Sequence, residues 1–389
     1  MDTRRIIVGI DLNKTQPQIC YFEQSTQDTQ TAPMKIGSEN ASFQDILETA
    51  EVLAEDSGLP ADKREEMMRY LVTQATDLLV GALSTLGIDN PEEQIEGMMI
   101  TAEKLSRPLV SVIRAMFRKL GLGNERAFLQ DYRESFYYHT LYQKSELWNR
   151  NVGFFRFSSR DVTFFSMSMD RMTRPITVKI DEGITIHLSE DRKKWDEQFY
   201  NMANASLRQN MYTSIFLMGE TFDKAWAARS TSLLCKGGRK VFVVDNLYAR
   251  GACYAARDKV CGKRLGEYLY LGEDLVRQNI GMEMIVQGTP TFYPLISAGV
   301  NWYETEKTCE CILEEAPELI FILSGMEDGL RRFSKMQLTG MPPRPPKASR
   351  VRLHLSYASP KQCVIEVEDL GFGEFFPSSG KVWREIWEG

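Results

Sequence analysis

Histidine is scarce in this sequence, and the cysteines follow no metal-binding spacing. The chain has three histidines among 389 residues, and no two of them are close in sequence. Its seven cysteines include no C-x-x-C pair, and Cys309 and Cys311 are separated by one residue, which on a strand places both on one face. The sequence therefore predicts no zinc site. The cysteines are interpreted as reduced thiols of an intracellular protein.

The sequence also lacks an excess of positive charge and any long apolar run. Lysine and arginine number 47 against 53 aspartates and glutamates, and the net charge is −6. Nucleic acids and anionic membranes both require a basic surface, so neither is expected as a partner. No apolar segment approaches the length of a membrane span. With 43% hydrophobic and 26% charged residues, the chain is expected to be a folded cytoplasmic protein of two or three domains.

The N-terminal stretch contains the most informative local pattern. An apolar run from Ile6 to Ile10 ends in Asp11, a turn follows at residues 13–15, and apolar residues resume at residues 18–22. This pattern predicts a buried strand, a tight turn and a second strand, with a carboxylate at the edge of the sheet. A carboxylate beside backbone N–H groups and a hydroxyl can hold a magnesium-bound phosphate. An ordinary hairpin with Asp11 in its turn explains the same residues.

Periodicity divides the rest of the chain into two regions. A short third strand is expected at residues 34–37, followed by two amphipathic helices between Phe43 and Gly87. From Ile95 to Ala256 strand and helix patterns alternate, which predicts an α/β domain with a mixed sheet, including a hairpin at residues 176–187 that turns at 181–183. Beyond about Leu265 strand patterns recur almost alone, which predicts an all-β sandwich. The proline-rich residues 341–346 are interpreted as a rigid crossover, or as a ligand for an aromatic groove.

The order of these pieces resembles the actin, sugar-kinase and heat-shock-chaperone ATPase superfamily, and the whole chain resembles a reduced chaperone of the DnaK type. Residues 7–21 resemble the first phosphate motif, 151–166 the second, and 215–221 the adenosine strand and turn. The resemblance implies an actin-like (ribonuclease H-like) α/β domain at 1–265 with a helical insertion at about 42–87. It also implies an apolar linker at 266–275 and a peptide-binding β-sandwich at 276–389.

Departures from the family's motifs argue against hydrolysis. Asn13 stands where the family has a glycine that lets the phosphate approach the backbone, and Arg156 stands at an acidic position of the second motif. No catalytic residue is assigned, and no cofactor is expected, with ATP and magnesium as the alternative. The candidate remnant of the nucleotide site consists of Asp11, Asn13, Lys14, Thr15, Gly219 and Glu220.

These observations favour a chaperone-like binding or scaffolding protein with an inactive ATPase fold and a protein or peptide partner. A nucleotide-switched chaperone and an actin-like filament protein are the alternatives. The helical lid that follows the sandwich in the chaperones has no counterpart, so a bound peptide is expected to leave quickly. A shallow groove for apolar peptide segments is predicted from Met282, Met284, Val286, Phe292 and Leu295. Those side chains are alternatively core residues of the sandwich.

Overall fold

The computed structural model describes residues 5–12, 17–23, 29–33, 43–55, 58–314, 317–326 and 329–388. The chain divides into two compact units, Met1–Gly272 and Glu273–Gly389. Here they are called the α/β unit and the β unit. None of the helices in the described ranges combines the length and apolar character that crossing a membrane requires.

The α/β unit begins with a five-stranded sheet. Its strands are β1 (Ile6–Asp11), β2 (Gln18–Glu23), β3 (Thr29–Pro33), β4 (Ile95–Ala102) and β5 (Ala127–Asp131), in the order β3-β2-β1-β4-β5. The first three strands are antiparallel, whereas β4 and β5 run parallel to β1. The central strand β1 is buried along its whole length. The strand expected at 34–37 lies outside the described residues, and β3 occupies 29–33.

A second sheet repeats this arrangement. It contains β6 (Asn151–Ser158), β7 (Asp161–Asp170), β8 (Ile176–His187), β9 (Tyr212–Met218), β10 (Lys240–Val243) and the short edge strand β11 (Tyr268–Tyr270), in the order β10-β9-β6-β7-β8-β11. As in the first sheet, the first three strands in chain order, β6, β7 and β8, pair antiparallel. The next two, β9 and β10, run parallel to β6. Both sheets thus have the order of the ribonuclease H-like fold, and the predicted α/β domain is confirmed.

The helices of the α/β unit are α1 (Phe43–Glu55), α2 (Ala61–Ser84), α3 (Pro91–Gln94), α4 (Arg107–Lys119), α5 (Tyr132–Leu141), α6 (Trp195–Leu207), α7 (Ala228–Leu234) and α8 (Leu247–Cys261). The two helices expected between Phe43 and Gly87 are therefore present. Ser106 caps α4, since its hydroxyl accepts a hydrogen bond from the Leu109 N–H.

Helices α5 and α8 join the two sheets because each packs on the sheet of the other half. Phe136 and Leu141 of α5 are buried against the second sheet, whereas Ala252 and Cys253 of α8 are buried against the first. The two helices also touch each other closely. A Cβ added at Gly251 of α8 would lie 1.9 Å from the Ser135 carbonyl oxygen of α5, so only glycine fits.

The β unit contains two four-stranded antiparallel sheets, and its predicted all-β character is confirmed. The third sheet has the order β13-β12-β15-β16, with β12 (Gln278–Val286), β13 (Thr289–Ile296), β15 (Glu318–Gly325) and β16 (Arg331–Gln337). The fourth has the order β14-β17-β18-β19, with β14 (Glu306–Leu313), β17 (Ser349–Ser359), β18 (Gln362–Gly371) and β19 (Val382–Glu388). Phe321 and Trp387 contact each other edge to face between the two sheets.

The hairpin expected at residues 176–187 is wrong, because the segment is the single strand β8. Residues 181–183, which suggested a turn, lie in β8 where its pairing with β7 changes register, between Thr163 and Phe165. Gly183 lies there against the ring of Phe164, which a Cβ would approach to 3.1 Å. Its glycine is thus explained by close packing on an aromatic ring and not by a turn.

Candidate functional site

The candidate site lies where the central strands of the first two sheets end. Asp11 is the sixth residue of β1, and Arg156 is the sixth residue of β6. Because the two sheets have the same strand order, these side chains occupy equivalent positions in the two halves. One half therefore presents a carboxylate and the other a guanidinium. The N-termini of α5 and α8 supply Tyr132 and Tyr248, and Glu103 directly follows β4.

Tyr132 connects the first turn of α5 to Asp11. The helix begins at Tyr132 because Asp131 caps it, accepting a hydrogen bond from the Glu134 N–H at 2.6 Å. The phenol of Tyr132 then donates a hydrogen bond of 2.6 Å to Asp11 Oδ1. Burial, followed by the neighbouring Asp11 carboxylate, raises the pKa of Tyr132 well above its usual value, so the phenol keeps its proton. Asp11 is 5% exposed.

Tyr248 makes the equivalent connection from α8. Its ring stacks on Tyr132 with the centroids 3.8 Å apart and the planes 9° from parallel. Arg156 interacts electrostatically with Tyr248, and its Nη1 lies 2.7 Å from Glu103 Oε1. Burial lowers the pKa of Arg156, but Tyr248 and Glu103 outweigh it and the net shift is upward. We call this connected set of Asp11, Tyr132, Tyr248, Arg156 and Glu103 the clasp.

Asp11 and Arg156 of the clasp are both engaged by neighbouring side chains. The Asp11 carboxylate, which would have to face a hydrated magnesium ion, already accepts the Tyr132 phenol. Arg156 carries a positive charge and is paired with Glu103 at 2.7 Å. Among the residues that the structure describes, no group of three or more histidine, cysteine, aspartate or glutamate side chains converges as a metal site would.

The other residues predicted for the nucleotide site are placed differently. Asn13, Lys14 and Thr15 lie outside the described residues. Gly219 follows β9 with φ of +129°, and a Cβ there would lie 2.0 Å from the Phe157 carbonyl oxygen. Its glycine is thus required by the approach of two backbone segments. Glu220 lies exposed in the turn that follows.

The structure does not bring the five predicted groove residues together on one surface. Met282 and Leu295 are buried in the β unit, at 6% exposure each, and Met284 is half-buried. Val286 shares the strand face of Met282 and Met284, since alternate residues of β12 point the same way. Phe292 is paired with Glu283 and therefore lies on the opposite face, with its ring over Gly281.

Four residues of the clasp were not predicted as site residues, and of these Arg156 was noted only as a departure from a family motif. Tyr132 was interpreted only as part of a connecting helix, and Tyr248 and Glu103 were not singled out. An available signal was the cap sequence around Asp131, since it places Tyr132 at the start of a helix that follows a buried strand. Nothing in the local sequence indicates that Tyr248 stacks on it, because the contact depends on how the two helices meet.

Two family models match the sequence. The model described as "Family of unknown function (DUF5716) C-terminal" matches residues 66–273, and "Domain of unknown function (DUF8552)" matches residues 275–388. No curated protein matches the chain.

Several solved structures are similar to the chain at low identity. A Bacteroides thetaiotaomicron protein with actin-like ATPase fold and unknown function is 9% identical, with a TM-score of 0.33 over 65% of this chain and 98% of that one. The ethanolamine utilization protein EutJ from Carboxydothermus hydrogenoformans is 10% identical, with a TM-score of 0.33 over 64% and 89%. RuvC from Thermus thermophilus is 11% identical, with a TM-score of 0.22 over 28% and 74%.

The DUF5716 model covers more than half of the 389 residues. The match includes β4, which pairs with β1, and β9, which pairs with β6. It also includes the whole of β6, α5 and α8. Four of the five clasp residues lie within that match, and only Asp11 lies before it. The chain belongs to the family of unknown function DUF5716.

Proposed function

We propose that this protein is a chaperone-like binding or scaffolding protein of the cytoplasm whose actin-like domain does not hydrolyse ATP. The observation that carries the proposal is the hydrogen bond from Tyr132 to Asp11, together with the stacking of Tyr132 on Tyr248. In this proposal the α/β unit serves as a frame, and the β unit binds a protein or peptide. The likeness to a chaperone of the DnaK type belongs to the same proposal.

The clasp supports a frame because it joins the two halves where a nucleotide-driven enzyme must open and close. Tyr132 and Tyr248 come from helices of different halves, so their stacking must break for the halves to separate. An aromatic pair contributes about 0.5–1.5 kcal/mol beyond its buried area. A hydrogen bond to a charged group contributes about 1.5–3 kcal/mol. A nucleotide entering beside Asp11 would first have to displace both interactions.

The contrast between the two sheets of the β unit supports binding to a protein. On the fourth sheet, Arg352 bridges Glu310 and Glu368 across three strands, at 3.0 and 2.8 Å, as expected of a solvated face. On the third sheet, Phe292 and Phe333 lie on the same face by register and are 49% and 70% exposed. Exposed aromatic side chains on a sheet face are typical of interaction surfaces.

The proposal is tested by melting the full chain with and without 1 mM magnesium-ATP. A site with a Kd of about 10 μM would stabilise the folded state by about 2.7 kcal/mol, which for a unit of this size raises Tm by roughly 5–10 °C. We expect no such rise. A rise of this size would overturn the proposed loss of nucleotide binding.

The binding role is tested separately on an array of extended peptides. Enrichment of apolar segments over scrambled polar ones is the expected result, and its absence would refute a peptide-binding role. Phe333→Glu in the exposed edge strand β16 is the test variant and should reduce the enrichment of apolar segments. Arg384→Glu, on the outer strand of the charged sheet, is the control, because Arg384 pairs with Glu366 on that face.

A further inference from the structure

Two buried cysteines lie next to each other between the first sheet and α8. Cys20 of β2 pairs with Gly9 of β1, and directly opposed residues of an antiparallel pair point to the same side of the sheet. A Cβ built on that side at Gly9 would lie 2.2 Å from the Cys253 backbone nitrogen of α8. Cys253 Sγ donates to the Ile7 carbonyl oxygen at 3.7 Å, so this thiol also points at the sheet. Both cysteines belong to one core cluster and have no exposed surface.

The position of the two cysteines around Gly9 suits a disulfide. The Cα atoms of directly paired strand residues are about 4.5–5.5 Å apart, which places Cys20 beside Gly9 in the plane of the sheet. The Cys253 Cα lies 2.8 Å from the Cβ position of Gly9, which places Cys253 directly above it. Both cysteines are therefore immediate neighbours of the same glycine, and a disulfide spans Cα atoms up to about 6.8 Å apart.

We propose that Cys20 and Cys253 are a reversible redox pair, which a hydroperoxide oxidises to a disulfide that fixes α8 to the first sheet. The inference goes beyond the proposed role of the α/β unit as a frame, because it gives that frame a chemical lock. In the cytoplasm proposed for this protein, disulfides are usually transient and redox-sensing.

The closed pair is protected from oxidants. The thiolate is the reactive form of a cysteine, and burial, followed by the neighbouring Cys20 thiol, raises the pKa of Cys253 well above its usual value. Oxidation therefore requires α8 to lift from the first sheet. The clasp opposes this motion, because Tyr248 of α8 stacks on Tyr132, and Tyr132 is held on Asp11 of that sheet.

Arg257 prepares Cys253 for reaction once water reaches it. Arg257 lies one turn further along α8, with its Cζ 4.1 Å from the ring centroid of Phe22 in β2. Its charge lowers the pKa of Cys253, against the larger effect of burial. Opening removes the effect of burial, whereas Arg257 stays beside Cys253 on the same helix. Cys253 is therefore the nucleophile of the pair, and Cys20 is the resolving thiol.

The reaction with hydrogen peroxide has two steps. The Cys253 thiolate attacks one peroxide oxygen and breaks the O–O bond, which leaves a sulfenic acid on Cys253 and releases hydroxide, and the hydroxide takes up the first thiol proton as water. The Cys20 sulfur then attacks the Cys253 sulfur, the S–O bond breaks, and the hydroxyl leaves with the second thiol proton as water. Two thiols thus lose two electrons and two protons, and one peroxide is reduced to two waters. A dithiol reductant reverses the change by exchange.

Mass spectrometry of the full chain tests the pairing. The reduced protein is treated with hydrogen peroxide, the remaining thiols are alkylated in urea, and a tryptic digest is analysed without reduction. Trypsin leaves Cys20 in the peptide 15–35 and Cys253 in the peptide 251–257, and neither peptide contains a second cysteine. We expect these two peptides to become linked and the link to disappear after treatment with dithiothreitol. Its absence once the exposed Cys235 and Cys261 are fully oxidised overturns the proposal.

The rate of linking tests whether oxidation requires α8 to lift. Tyr248→Leu removes the stacked ring and keeps an apolar side chain, so the link should form several-fold faster than in the wild type. Tyr70→Leu, which changes an exposed tyrosine of α2, is the matched control and should leave the rate unchanged. Equal rates in the two variants contradict the proposed opening.

The melting temperature tests whether the link acts as a lock. A disulfide that closes a loop of more than 100 residues should raise the Tm of the α/β unit by about 10 °C, and dithiothreitol should reverse the rise. Cys253→Ser treated with the same peroxide should show no rise. A linked protein with an unchanged Tm overturns the lock. These results are independent of nucleotide binding, so the proposed function stands or fails separately.

Discussion

Replacing Tyr132 by phenylalanine removes one hydroxyl from the clasp and leaves its aromatic stack in place. The buried Asp11 carboxylate then loses the donor that lies 2.6 Å away. A hydrogen bond to a charged group contributes about 1.5–3 kcal/mol, so we expect Tyr132→Phe to lower the free energy of unfolding by that amount. For a unit of this size the corresponding fall in Tm is about 3–12 °C.

The assay is urea denaturation of the full chain at pH 7, followed by circular dichroism. Tyr70→Phe is the matched control, because the Tyr70 side chain is 63% exposed and its hydroxyl only accepts from Gln74 on the same helix. That control should change stability by less than about 0.5 kcal/mol. In the Tyr132→Phe background, Asp11→Asn should cost less than it does alone, because the phenol no longer depends on the carboxylate. Equal stabilities of Tyr132→Phe and Tyr70→Phe would refute the clasp as a stabilising contact.

Three further predictions concern other parts of the molecule. Arg344 donates two hydrogen bonds of 2.7 Å to the fully buried Asp369 and helps hold the pKa of that carboxyl well below its usual range. Arg344→Met should therefore lower the free energy of unfolding, measured by urea denaturation at pH 7, by about 3–5 kcal/mol. The effect should disappear as the pH falls well below 4, where Asp369 becomes protonated. Burial lowers the pKa of His139 to about 3, whereas in the unfolded chain this side chain takes up its proton near pH 6.5. The free energy of unfolding should therefore fall by about 2 kcal/mol between pH 6.5 and 5. In His139→Gln, urea denaturation at several pH values should show a smaller fall. Gly251→Ala should lower Tm strongly by forcing α5 and α8 apart, whereas Gly81→Ala, with open space at its Cβ, should raise Tm slightly; equal shifts would contradict the close helix contact.

Much of the fold was predictable because its local patterns agree with the tertiary structure. The run from Ile6 to Ile10 forms a fully buried central strand, and such a strand must be apolar on both faces. The alternation of strand and helix periods from Ile95 onward indicated the α/β unit. The loss of helical periodicity beyond Leu265 indicated the β unit.

The strands that the sequence did not predict are edge strands. In β16 only Met336 is buried, while Arg331, Phe333 and Lys335 on the other face are exposed. In β19 the outward residues include the exposed Val382 and Ile386. Edge strands bury little, so their residues do not follow the alternation that identifies a half-buried strand.

The candidate site was predictable only in part because it is assembled from distant segments. Asp11 follows a buried strand, and that position alone marks it as a candidate. Arg156 drew notice only through the family resemblance, and its contact with Glu103 joins two segments that are distant in sequence. The stacking of Tyr132 on Tyr248 depends on the exchange of α5 and α8 between the two sheets, and no local pattern encodes that exchange.

Calorimetric titration of the wild-type protein with magnesium-ATP tests the central claim most directly, because it measures binding at the clasp without altering any residue. We predict no heat beyond dilution at ATP concentrations up to 1 mM. The double variant Tyr132→Ala and Tyr248→Ala, run in parallel, reports what the same position binds once both rings are removed. Saturable binding to the wild type, lost in Asp11→Asn, would show that the position beside Asp11 is a nucleotide site and would contradict the account.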